Sequence, residues 1–158
     1  MKTASIHELK QELTTISPAR VQELCLRLAK FKKENKELLT YLLFEAQDAQ
    51  GYTGSVKAEM DGLFAEVNTS NVYFAKKTIR KILRIANKHI RYMGSPQAEV
   101  ELLIHFCLQL KETGLPLHKS AVLNNLFQNQ LKKIHKTLDT LHEDLQYDYL
   151  KDIKKLEG

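Results

Sequence analysis

The stretch from His118 to Glu157, HKSAVLNNLFQNQLKKIHKTLDTLHEDLQYDYLKDIKKLE, contains neither glycine nor proline. Within it Phe127, Leu131, Ile134, Leu138, Leu141 and Leu145 step by four and three residues in turn, a period of about 3.5 that lays them along one stripe of a helix. Tyr149, Ile153 and Leu156 then shift the stripe by one position. Taken as one helix the segment reaches roughly 60 Å, and a bend near His142 is the alternative. The stripe needs a cover. We expect the protein's own helices to supply it, with a homodimer through the C-terminal helix as the other arrangement.

Working outward, the rest of the chain carries the same helical signature. Leucine occurs 25 times and valine 6, tryptophan is absent, and glycine and proline together contribute 9 of 158 residues. That balance favours Leu-rich helices over a turn-rich β architecture. The length suits a single helical domain, residues 1–158, with its own core. The expected fold is all-α, an irregular antiparallel bundle of six or seven helices ending in a long C-terminal helix.

Helix starts are legible. Ser5 with Glu8 three residues on forms a capping box, which opens a short first helix bearing Ile6, Leu9 and Leu13 and ending near Thr14. Ser17-Pro18 and Ser95-Pro96 each place a hydroxyl N-cap before a proline at the first helical position, where a missing N–H costs nothing. The Ser17 helix carries Val21, Leu24, Cys25 and Leu28 and runs into the lysine-rich stretch Lys30 to Lys36. A third helix holds Leu38, Leu39, Leu42 and Leu43. Gly51 and Gly54 interrupt it, as a loop or as a kink, before Val56, Met60, Leu63, Phe64 and Val67 resume the pattern. Asn68-Thr69-Ser70 supplies the next N-cap, and the helix behind it runs to Tyr92, stopped by Gly94. The Ser95 helix extends to about Glu112.

Cys25 and Cys107 lie in apolar surroundings, Leu24-Cys25-Leu26 and Phe106-Cys107-Leu108, and read as buried free thiols. The first residues have no apolar signal core, and no uncharged apolar run approaches the roughly 20 residues that span a bilayer. A cytoplasmic location is expected on these grounds.

The chemistry-bearing motifs are few. No phosphate-cradling loop, metalloprotease helix, CxxC pair or nucleophile elbow occurs, so no enzymatic activity, cofactor or metal is assigned. Gly51-Tyr52-Thr53-Gly54 matches the bare GxxG of a KH loop, whose accompanying strands are not visible, and otherwise reads as a helix break. His135, Asp139 and His142 share one side of a helix at positions i, i+4 and i+7. Lys132, Lys133 and Lys136 beside them repel a cation, which favours a solvated flank.

The charge distribution is the most informative signal. From Val67 to Ala98 there are seven basic residues and no acid, while the remainder holds 17 basic against 19 acidic residues. The positive excess therefore sits in one segment. At 3.6 residues per turn Lys76, Lys77, Arg80, Lys81, Arg84, Lys88 and Arg91 fall within an arc of about 140°. Tyr73 and Asn87 share that arc, and Ile79, Ile82, Leu83, Ala86 and Ile90 lie opposite. These seven cations and Tyr73 form a candidate surface for an anionic or acidic partner. Alternatively, acids at 45–66 or 139–152 fold back and neutralise it.

The run Val21-Gln22-Glu23-Leu24-Cys25-Leu26-Arg27-Leu28-Ala29-Lys30, continued by Lys33-Glu34-Asn35-Lys36-Glu37-Leu38-Leu39, resembles a family of uncharacterised all-helical bacterial proteins. Leu141 to Tyr149 is similar as well. The resemblance implies a helical fold in bacterial cytoplasm and brings no activity. The function expected from the sequence is a non-enzymatic interaction or scaffold module that binds a protein partner, acidic in character, through helical faces. The alternative is a nucleic-acid-binding protein using the basic face of residues 72–92.

Overall fold

The computed structural model describes all 158 residues, of which 82% are helical, and it contains no strand. The elements are α1 (Ile6–Thr15), α2 (Pro18–Phe31), α3 (Lys33–Thr40), a π-helical turn (Tyr41–Glu45), α4 (Ala49–Ala65), α5 (Val72–Met93), α6 (Pro96–Glu112), a 3-10 turn (Leu117–Lys119), α7 (Ala121–Leu138) and α8 (Glu143–Glu157). Eight α-helices form where six or seven were expected because the long final helix divides at the turn 139–142, beside the His142 at which a bend was the alternative. The break between α2 and α3 falls at Lys32, extended at φ −139°, ψ 145°, within the lysine-rich stretch where the second helix was expected to end.

The cap chemistry works as read. The Ser5 N–H donates to Glu8 Oε2 at 2.7 Å, and the Glu8 N–H donates to Ser5 Oγ at 3.3 Å. These bonds from Ser5 hold the Glu8 carboxyl below its ordinary pKa. Ser17 accepts from the Arg20 N–H and Ser95 from the Ala98 N–H, each at 3.2 Å. Gly94 closes α5 in the left-handed region at φ 58°, a conformation that costs glycine nothing. The cap of α5 lies one residue beyond the expected Asn68-Thr69-Ser70. Asn71 caps it, while Asn68 makes a local turn by accepting from the Ser70 N–H.

The interruption expected at Gly51 and Gly54 is absent, for both glycines lie inside α4. The chain instead turns before Asp48, whose carboxylate accepts from the Gly51 N–H at 3.0 Å. A Cβ at residue 51 would stand 2.2 Å from that carboxylate. Glycine there makes room for the cap. With the GxxG inside a continuous helix and no strand beside it, the KH-like reading has no structural counterpart.

Contacts group the chain into two compact units, Met1–Glu45 and Ala46–Gly158. In the second, α6 packs against α4, α5, α7 and α8. Its residues Val100, Leu102, Leu103, Phe106, Cys107 and Leu110 have no solvent exposure, so the helix is apolar around most of its circumference. Phe106 meets Phe64 of α4 with ring centroids 5.5 Å apart. The apolar stripe of residues 127–156 serves this core too, since Phe127, Leu131, Ile134, Leu138, Ile153 and Leu156 are all buried. Polar ties join the helices around the rim. Lys57 Nζ bonds Glu101 Oε1 at 2.6 Å, His105 Nε2 lies 2.6 Å from Asp61 Oδ1, and Lys133 pairs with Glu99 at 3.0 Å. Lys111 Nζ donates to the Lys155 and Leu156 carbonyls at the end of α8, where free carbonyls and the helix dipole favour a cation.

The first unit is different in kind. No residue of α1, α2 or α3 is buried, and Tyr41 in the π-helical turn is the unit's only buried residue. α2 packs on α3, and the Asn35 side-chain amide donates to the Leu28 carbonyl across the break at 2.8 Å. Cys25, expected to be buried, is exposed, because this unit has no core to take that side of α2.

The two thiols should therefore separate chemically. Burial pushes Cys107 up to about 12, so it stays a neutral thiol at ordinary pH. At pH 8 an aromatic disulfide reagent should titrate one thiol in the native protein, removed by Cys25→Ser, and two in denaturant. A group whose pKa is raised on folding supports the fold below its unfolded pKa. The contribution of Cys107 should hence be present at neutral pH and fade as pH climbs from 9.0 toward about 12.

Candidate anion-binding face

α5 is positioned by its apolar side. Ala75, Ile79, Ile82 and Ala86 have no exposure, and Ile90 is nearly buried. The cations lie on the other side of the helix, turned away from this core. Lys77, Arg80, Lys81, Arg84 and Arg91 are exposed, and Lys76 and Lys88 are half-buried. Tyr73, 62% exposed, stands at the N-terminal end of the face with its ring edge against Phe74, and Lys77 Nζ lies 4.8 Å over its ring. Side chains from Lys77 to Asn87 enclose a shallow open hollow of about 680 Å³. Asn87, which lines it, keeps Oδ1 buried with no hydrogen-bond partner.

Several of the acids that were candidates to neutralise this face are engaged elsewhere. Glu59 Oε2 lies 3.2 Å from His89 Nε2, and Asp61 bonds His105. His89 is on α5 but on the opposite flank, where Tyr52 OH also lies 2.7 Å from its Nδ1. Asp48 caps α4, and Asp152 pairs with Lys155. None of the ion pairs in the structure reaches Lys76, Lys77, Arg80, Lys81, Arg84 or Arg91.

The face strains the helix that carries it. Lys76 and Arg80, Lys77 and Lys81, and Arg80 and Arg84 are like-charged neighbours at i, i+4, each destabilising by about 0.2–0.5 kcal/mol. A row of anions laid along the face relieves that repulsion, and at 1.5 Å per residue the cations from Lys76 to Arg91 extend over roughly 22 Å.

Other sequence candidates are not brought together. α7 ends at Leu138, so His135, Asp139 and His142 no longer share a helix. His135 bonds Glu157, Asp139 follows the helix as its C-cap, and His142 caps α8 by accepting from the Asp144 N–H. No three His, Cys, Asp or Glu side chains anywhere in the chain are grouped to hold a metal ion. No helix is long and apolar enough to cross a membrane.

A second open surface was not among the sequence candidates. In the first unit, α2, α3 and the π-helical turn form a groove of about 600 Å³ lined by Leu26, Ala29, Leu39, Leu43 and Phe44 together with Lys30, Lys32, Lys33 and Lys36. The lysine-rich stretch was visible in the sequence. That the leucines beside it stay open depends on the missing core beneath α2 and α3, which spacing does not reveal.

Comparison with protein families, with curated proteins and with solved structures finds no match to this chain.

The repulsion along α5 gives a test of the face that needs no ligand. Arg80→Gln removes the like-charge contacts with Lys76 and Arg84 and should raise stability by about 0.5 kcal/mol, read from urea unfolding at low salt. The gain should shrink as added salt screens the wild-type repulsion.

Proposed function

We propose that this protein is a non-enzymatic interaction module of the bacterial cytoplasm and that the basic face of α5 is its nucleic-acid-binding surface. The observation that carries this reading is the open row of cations, Lys76, Lys77, Arg80, Lys81, Arg84 and Arg91, which no acid of the chain pairs. A protein partner is held around an apolar centre, and from Lys76 to Arg91 no large apolar side chain is exposed. A phosphate backbone asks only for cations along a line, and most of its affinity comes from released counterions. The exposed Tyr73 ring at the end of the row adds a platform on which an unpaired base can stack.

The reading predicts a steep salt dependence. With four to five phosphates neutralised, log K for duplex DNA should fall with log salt at a slope of about −4, and somewhat less for single strands. Lys76→Ala, Arg80→Ala and Arg84→Ala should each flatten the slope by about one unit with helicity unchanged. Tyr73→Ala should weaken single strands by about 1–3 kcal/mol and leave duplex binding nearly untouched. Absence of binding to both DNA and RNA at about 50 mM salt would sink the proposal.

A further inference from the structure

α1 and the groove of α2 and α3 are two apolar surfaces of the same small unit, and both are open at once. On α1, Ile6 is 81% exposed and Leu9 and Leu13 are also exposed. At helical spacing these three share one side, and Glu8 and Glu12 flank it along one edge. In the groove, Leu26, Leu43 and Phe44 are exposed, and the flanking charges are the lysines 30, 32, 33 and 36. One surface is an amphipathic helix with an acidic edge. The other is an apolar trough with basic walls, Lys33 of which pairs with Glu37 at 3.8 Å, so the charges of the two surfaces are complementary along the Glu12 edge.

The chain's own α1 does not fill the trough. Only Ile16 and Ser17 separate α1 from α2, both are extended, and α1 is thereby tied to the N-terminal end of α2. The residue of α2 that lines the trough nearest the tether is Leu26, about 12 Å along the helix from Pro18. A helix arriving from another molecule has no such restriction.

We infer that two copies of this chain associate by exchange, the α1 of each lying in the lysine-lined groove of the other. The two contacts are identical and related by a two-fold axis, so the assembly closes at two copies. Ile6, Leu9 and Leu13 of one copy cover Leu26, Leu43 and Phe44 of its partner, and Glu12 faces the lysine wall. The dimer rests on the first unit alone and is independent of what α5 binds.

Sedimentation equilibrium on the full chain at concentrations on the order of 100 µM, high enough for mass action to favour association, is expected to give a dimer, twice 18.2 kDa. Leu9→Asp with Leu13→Asp should give a monomer with an unchanged helical spectrum, since both residues are exposed. Lys33→Glu with Lys36→Glu should also weaken association, by at least 10-fold, and adding Glu12→Lys to that variant should recover most of the loss. A wild-type monomer, a dimer indifferent to Leu9 and Leu13, or a groove variant that Glu12→Lys fails to rescue would each overturn the inference.

Discussion

Leu102, Leu103, Phe106 and Leu110 are sealed from solvent because the helix that bears them is packed by four others, and the second unit is organised by that burial. α4 and α5 take one part of its circumference, and α7 and α8 another. Replacing a buried phenylalanine by alanine typically costs about 3–5 kcal/mol, a large share of what a domain of this size has to spare. The polar ties of Lys57, His105 and Lys133 lie at the edge of this core and orient helices that it has already brought together. Exposed ion pairs contribute little by themselves.

α5 shows how one helix serves two requirements. Its isoleucines commit it to the core and fix its rotation, and that rotation leaves the lysines and arginines outside. Self-repulsion along the row works against the helix, and burial on the other side holds it in place. The surface is thus pre-arranged, and an incoming anion need not order the backbone that meets it.

Much of this was legible in the sequence, and the failures have physical causes. Ser5 with Glu8, Ser17-Pro18, Ser95-Pro96 and Gly94 act through bonds made within a few residues, so local reading locates them. The division of the last helix is not local. The heptad-like stripe runs on through Leu138, Leu141 and Leu145 because side chains on both sides of the turn face the same core, and nothing between Asp139 and His142 forbids helix. The chain turns there, and the turn brings Ile153 and Leu156 back under cover. The cations of α5 were likewise readable from spacing alone. That Lys76, Lys77, Arg80, Lys81, Arg84 and Arg91 lack acidic partners was not, since it depends on Glu59 and Asp61 meeting His89 and His105, 30 and 44 residues away. Cys25 misled because an apolar neighbourhood in sequence implies burial only where another helix covers it.

The uneven distribution of buried side chains also divides the molecule in time. Amide hydrogens exchange when a segment opens, and the free energy of opening follows the packed apolar surface that must be given up. α6, enclosed on most sides, should release its hydrogens only when the whole second unit unfolds. α1 gives up almost nothing when it frays, and α2 and α3 little more. A hydrogen-exchange experiment would then record two clocks in one chain, with α1 to α3 labelled early and the interior of α6 labelled last.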